Sequence, residues 1–405
     1  NIYKVKGISF ILYLENPFRS LFLFDLFLCL FVSFFLSFFS LFIINILALS
    51  IIMLAKFKLP NAEVWKTFPP FDTPVPPSPF ENEFLNKIYY ASMNVTTPLT
   101  IAIIYFTSVH FINSIIRNKQ IAKYNSKTSS ESKVDITKLD DKKLQKILPT
   151  VPNSIAKTSI FKLFVFLHNV FLCLYSIWTF LGMSHTIATT MNLFEGNFLQ
   201  SLVNYQPKKL DIFLHSVCDP KIGIFSRLLT NEKGLHNLEV FGWWFYISKF
   251  YEVLDTAIIL LKGRPSSLLQ SYHHAGAMMC MWAGIRYQSP PIWIFVVFNS
   301  FIHSLMYFYF SLSCLKIRIP NFFKRILTTM QITQFIVGGS IAILHSFVWI
   351  VDTSHVISPD NLKWVICINT PNQALPILIN VLYLLPLTAL FTAFYIESYL
   401  KKKSA

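Results

Sequence analysis

Charge is scarce in this chain. Only 14% of its 405 residues are Asp, Glu, Lys or Arg, against about a quarter in soluble globular domains, while 54% are hydrophobic and 16% aromatic. That balance excludes an ordinary soluble fold. Cysteine is scarce too: there are six, and no two are spaced as CxxC. This excludes a disulfide-built module and a zinc ribbon, and leaves room for one bridge. Acidic residues number 20 against 35 basic ones, a formal charge of +15. In a soluble protein that excess suggests nucleic acid, but no zinc-finger or RNA-binding signature accompanies it, so no nucleic-acid partner is expected. No internal repeat of the kind on which many secondary transporters are built is present either.

What the chain has instead is long apolar runs, several near the roughly 20 residues a helix needs to cross hydrocarbon. The reading is an all-α, multi-pass membrane protein with seven transmembrane helices, at about 98–116, 159–183, 241–261, 267–285, 291–310, 327–349 and 373–396. The basic residues fall unevenly between them. Nine Lys or Arg stand against four acids in 117–146. Lys262 and Arg264 follow the third run, Lys316, Arg318, Lys324 and Arg325 follow the fifth, and Lys401 to Lys403 end the chain. With simple alternation all four segments share one side, which the positive-inside rule makes cytoplasmic, with the C-terminus.

Flanking regions are of three kinds. Residues 1–55 form a Phe-rich hydrophobic extension, with nine Phe in the 22 positions of 21–42. Because the chain opens on Asn1 and Met53 precedes ordinary-looking sequence, residues 1–52 are expected to be an upstream artefact of the gene model; read as real, they add an eighth span. Residues 56–97 are a Pro-rich, irregular extramembrane approach, with Pro74, Pro76, Pro77 and Pro79 crowded together. The seven-helix domain covers 98–396 with a basic cytosolic loop at 117–158, and 397–405 is a cytosolic basic tail.

Ionisable groups inside spans are costly, so they are functional candidates by default. Lys249, Glu252 and Asp255 recur every three residues along the third span, followed by Thr256. Gln270, His273 and His274 share one face of the fourth, Asn299, His303 and Tyr307 one face of the fifth, and Gln331 and Gln334 open the sixth. Bundled, they make a polar chamber with an apolar tunnel beyond it. Neutral imidazoles there can act as bases, as nucleophiles or as metal ligands. Lys249 with Glu252 also fits a packing ion pair. A di-iron desaturase or hydroxylase needs more His than this: the ten in the chain include one adjacent pair and no HxxxH or HxxHH. No metal is therefore expected.

These residues carry a resemblance. Lys249 to Thr256 fits KxxExxDT at every fixed position, and 269–274, LQSYHH, contains QxxHH, a variant of HxxHH. Asn299 to Tyr307 fits N-x-x-x-H-x-x-M-Y, 328–335 fits TxxQxxQF, and His168-Asn169 adds a further marker. The four motifs, in order, resemble the ELO family of fatty-acid elongases, membrane 3-oxoacyl-CoA synthases, from about Thr100 onward. The resemblance implies condensation of a long-chain acyl-CoA with malonyl-CoA to a 3-oxoacyl-CoA two carbons longer, releasing CO2 and CoA and needing no further cofactor. It implies an acyl tunnel, and His273 or His303 as acyl carrier. Asp255 and Glu252 would orient the imidazoles, while His274 completes the box. Gln270, Asn299 or Tyr307 would serve as donors to the enolate. Lys249 could neutralise an anion, and Lys262 and Arg264 could meet the CoA phosphates. Expected partners are the bilayer and the reductases and dehydratase of the cycle, with homodimerisation left open. The alternatives are a metal-dependent lipid desaturase or hydroxylase, and an acyl-lipid transporter.

Two smaller expectations concern compartment. Cys218 and Cys367 are the cysteines of the predicted lumenal loops and should pair in an oxidising lumen. Lys402-Lys403-Ser404-Ala405 resembles a dilysine retrieval address for the endoplasmic reticulum.

Overall fold

A computed structural model describes residues 54–70, 72–127, 147–195, 208–227, 237–353 and 362–400. The Phe-rich extension, most of the basic loop and the terminal lysines lie outside the described residues. The chain divides into two compact units, Asn1–Met53 with Lys208–Leu210, and Leu54–Pro207 with Asp211–Ala405; the described helices and strands belong almost wholly to the second.

After strand β1 (Ala55–Phe57) come helices α1 (Glu83–Met93), α2 (Thr96–Lys127), α3 (Ser159–Leu193) and α4 (Lys209–Cys218). The next five are α5 (Leu238–Tyr251), α6 (Val253–Leu261), α7 (Leu268–Arg286), α8 (Ile292–Cys314) and α9 (Asn321–Leu344). Strands β2 (Val348–Val351) and β3 (Trp364–Ile366) and helix α10 (Pro371–Tyr395) complete the order. Side-chain caps open several of them. Asn82, Thr158, Asn237, Ser267 and Thr370 each accept an N–H from the first turn of α1, α3, α5, α7 and α10, satisfying donors that a helix start leaves free.

Among the described residues, five helices are long and apolar enough to cross a membrane: α2, α3, α8, α9 with its extension to Phe347, and α10 with its extension to Leu400. The third and fourth expected spans are not among them, for a local reason. The third breaks at Glu252 into helices of 14 and 9 residues. The fourth has 19 residues and spends three of its early positions on Gln270, His273 and His274. These two act as interior helices. α5 is buried along nearly its whole length, and α7 packs between α2, α5 and α10. The outer helices show the opposite pattern, with Ile103, Ile104 and Phe111 on α2 and Leu163, Leu167, Leu174 and Leu181 on α3 exposed. Apolar rows of that extent suit hydrocarbon, not water. The most extensive packing is α3 on α8, where the buried Thr179 hydroxyl donates to Ser300 Oγ at 2.9 Å.

The sequence reading missed a small antiparallel sheet, in the order β1-β2-β3. Ala55 pairs with Ile350, and Ile350 with Val365. The sixth span, expected to 349, ends at Leu344 because the β-branched run Val348 to Val351 finds strand partners on both sides. The sheet is tied to α4: Ala55 N–H donates to Asp211 Oδ1 at 3.0 Å, and a disulfide joins Cys218 to Cys367. The Pro-rich stretch is also less irregular than expected. It contains a helix, α1, and Arg286 and Arg227 pin it through the carbonyls of Pro74 and Pro77.

One glycine fixes the approach to α7. Gly263 has φ +69°, and a Cβ there would lie 2.1 Å from the Val151 carbonyl carbon. Val151 and Asn153 donate to the Gly263 and Leu261 carbonyls at 3.3 and 3.0 Å, holding the segment before α3 against the turn.

Candidate active site

The start of α7 and the middle of α8 face each other across a cavity of about 2050 Å³, roughly twice the upper range for ordinary small-molecule pockets. Of the residues singled out by motif, His273, His274, His303, Gln270, Asn299, Asp255, Lys262, Gln331 and Gln334 line it. His273 and His303 approach with ring centroids 6.3 Å apart.

Each imidazole is held differently. His274 Nε2 is 2.8 Å from the Gln270 amide nitrogen. An amide nitrogen only donates, so that ring nitrogen is the unprotonated one; Nδ1 is buried and lacks a hydrogen-bond partner. His303 turns Nδ1 toward Glu252, 3.7 Å from Oε2, and both atoms are buried without a hydrogen-bond partner. His273 Nδ1 meets the Tyr383 hydroxyl of α10 at 2.9 Å.

Below the cavity floor lies a buried charge pair. Lys249 Nζ donates to Glu252 Oε1 at 2.6 Å and to Asn299 Oδ1 at 3.2 Å, and Ser248 Oγ donates to the same Glu252 oxygen at 3.1 Å. Lys249 thus holds Asn299 by its carbonyl end, which leaves the NH2 end for the cavity. Asp255 does not touch the three imidazoles on α7 and α8, contrary to the orienting role expected of it. Its two oxygens take the Tyr307 hydroxyl at 2.6 Å and His168 Nε2 at 2.9 Å. A further link ties the next residue, Thr256, to Tyr105 of α2 at 2.8 Å. The KxxExxDT box therefore braces α6 against α2, α3 and α8 on one side and supports His303 and Asn299 on the other.

Three expected substrate contacts fall elsewhere. Tyr307 is fully buried with its hydroxyl committed to Asp255, Lys249 does not line the cavity, and Arg264 is exposed beside the lining residues Lys262 and Pro265 without lining the cavity itself. At the mouth, Lys262 is joined by Arg117, His110 and Asn113 of α2, which the sequence reading did not name. Nor did it name Tyr383, a tyrosine inside an apolar run with no motif around it. His168 was visible as half of a polar pair in an apolar helix, though its partner Asp255 was not. Among the described residues, no three His, Cys, Asp or Glu side chains gather as a metal site would.

Several known proteins are similar to the chain over part of its length. Fatty acid elongase A of Dictyostelium discoideum is 30% identical over 178 residues, 44% of this chain and 54% of that protein. Fatty acid elongase 2 of Trypanosoma brucei brucei is 31% identical over 166 residues, 40% and 58% respectively. Human very long chain fatty acid elongase 3 is 30% identical over 127 residues, 31% and 47%. The chain thus spans about half the length of the curated relatives it matches. No solved structure matches it. The model of the GNS1/SUR4 family, ELO, matches residues 90–405, a stretch that takes in every helix lining the cavity, and the chain belongs to this family of multi-pass membrane proteins.

Proposed function

We propose that the chain is an enzyme of fatty-acid elongation that joins a long-chain acyl-CoA to malonyl-CoA, giving a 3-oxoacyl-CoA two carbons longer, CO2 and free CoA. The observation that carries this reading is the pair His273 and His303, brought from two helices to one large cavity with a free imidazole edge facing it. The relatives named as fatty acid elongases support it.

In this reading His273 Nε2 attacks the acyl thioester carbonyl, the C–S bond breaks, and CoA leaves as thiolate to take a proton from solvent. The product is an acyl-imidazolium, a good acyl donor because neutral imidazole departs readily. Malonyl-CoA then loses CO2, and the electron pair of the broken C–C bond becomes an enolate. Its α-carbon attacks the acyl carbonyl and releases neutral His273. Asn299, through its NH2 group, and Gln331 supply donors for the developing oxyanions. His303, braced by Glu252, lies across the cavity to position the second substrate. Lys262 and Arg117 suit the CoA phosphates at the mouth. The reductases and dehydratase of the cycle are the expected partners.

We place this activity in the endoplasmic-reticulum membrane with the C-terminus cytosolic. The Cys218–Cys367 bridge suits a domain facing an oxidising lumen. Microsomes expressing the chain should incorporate labelled malonyl-CoA into longer acyl chains, and His273→Ala or His303→Ala should abolish incorporation. Substantial activity retained by both variants would overturn the assignment.

A further inference from the structure

Tyr383 lies outside every motif and does not line the cavity, yet its hydroxyl makes two contacts to the same histidine. It stands 2.9 Å from His273 Nδ1 and donates to the His273 main-chain carbonyl at 3.0 Å. A phenol has one hydrogen. A carbonyl oxygen can only accept; with the hydrogen given to it, the phenol oxygen accepts from the ring. His273 therefore carries its proton on Nδ1, and Nε2 is left as a bare lone pair. We propose that Tyr383 is a positioning residue that sets the tautomer of His273 and, by keeping the Nδ1 proton engaged, makes Nε2 the acyl acceptor.

The surroundings of Tyr383 are built to hold this geometry. Its ring stacks on Tyr272 at 5.6 Å between centroids and 23° between planes, and the Tyr272 hydroxyl donates back to the Tyr383 carbonyl at 3.3 Å. On the other side it occupies space that Gly276 leaves open: a Cβ on Gly276 would lie 2.2 Å from Tyr383 Cε2. Tyr272, His273 and Gly276 sit within about one turn of α7, so the clamp and the imidazole it orients form one unit. The chemistry gains twice. Free imidazole favours neither nitrogen strongly, so fixing the proton removes a non-productive form. When acylation converts the ring to an imidazolium, the Nδ1–H becomes a stronger donor to the same phenol oxygen, which favours the charged intermediate over the resting state.

This inference rests on His273 being the acyl carrier, and the test separates the two. Purified protein is mixed with a long-chain acyl-CoA in the absence of malonyl-CoA, and release of free CoA in the first turnover is followed beside equilibrium acyl-CoA binding. Stoichiometric CoA release by the unaltered chain, lost in His273→Ala, supports the acyl-carrier reading; no release from the unaltered chain sinks it. Given that release, Tyr383→Phe should acylate about 10- to 100-fold more slowly, the range that one hydrogen bond to a developing charge commands. Acyl-CoA binding and thermal midpoint should stay nearly unchanged, and the loss should fall on kcat and not on KM. Gly276→Ala, which keeps the hydroxyl but pushes the ring aside, should show the same split and serves if Tyr383→Phe does not fold. Acylation by either folded variant at the unaltered rate would overturn the proposal, as would a loss explained wholly by weaker binding.

Discussion

Replacing Lys249 by Met strips Glu252 of its ammonium partner in a place where water cannot substitute. Both side chains are 3% exposed. The substitution deletes a 2.6 Å bond to Glu252 and a 3.2 Å bond to Asn299, together with a cation set 4.0 Å from the centre of the Phe245 ring. Ser248 alone stays on Glu252 Oε1, and Oε2 has no hydrogen-bond partner to take over. Orphaning a buried charge in this way costs about 3–5 kcal/mol, or roughly a hundred- to several-thousand-fold in the ratio of folded to unfolded protein. Removing both charges is a different perturbation. Lys249→Met combined with Glu252→Met leaves apolar groups of similar volume and should recover most of the loss. Unfolding by SDS titration in mixed micelles, followed by tryptophan fluorescence, reads both variants against the unaltered chain. A single variant costing less than about 1 kcal/mol, or a double variant no more stable than the single, would refute the description of a dry, mutually dependent pair.

Three further outcomes are expected. Asp255→Ala should lower stability by about 1–3 kcal/mol by orphaning the Tyr307 hydroxyl and His168 Nε2. Tyr307→Phe added to it should then cost nothing more, and an additive loss in the same titration would separate the two residues. Gly263→Ala should cost at least about 1–2 kcal/mol from the left-handed backbone alone, with the collision at Val151 adding to it; faster amide exchange at Val151 and Asn153 would report the loosened turn, and unchanged exchange would contradict it. The cap that α4 forms with the three-stranded sheet, closed by the Cys218–Cys367 disulfide, should weaken in acid. Burial holds the His215 pKa below its ordinary 6.5, so as pH falls through that value the unfolded cap takes up a proton that the folded cap refuses, and stability drops. Reduction of Cys218–Cys367 by a phosphine should therefore accelerate between pH 7.5 and pH 5.5 by more in this chain than in His215→Asn, and equal acceleration in both would argue against His215.

Periodicity and composition made the outer helices legible, because a helix that meets lipid must be apolar over its whole length and announces itself. The interior helices obey no such rule. The run ending at Leu261 reads as one span by hydropathy, and nothing in composition shows that it breaks at Glu252, where the buried ion pair forms. The sheet was invisible for a related reason: the apolar residues Val348 to Val351 look like the end of a span until their partner strand β1, about 290 residues earlier in the sequence, is known. At the site, spacing on single helices grouped Gln270 with His274 and Lys249 with Glu252, and both pairs are in contact. Spacing could not see across helices, and so missed Asp255 meeting His168 and Tyr307.

The adjacent histidines illustrate what three-dimensional placement adds to a motif. In QxxHH the two imidazoles look equivalent, and the leading Gln looks like a missing third. Their contacts make them unlike. Gln270 donates to His274 Nε2, which puts the His274 proton on Nδ1 and leaves no lone pair of that ring free to attack. Tyr383 engages His273 through the opposite nitrogen, Nδ1, which leaves Nε2 unencumbered beside the cavity. One helix turn thus presents a spent imidazole and an available one, distinguished by partners on its own helix and on α10. The same contact explains why an amide serves at position 270. The task there is to donate one hydrogen to a neighbouring ring four residues on, and a Gln side chain does so without needing to titrate.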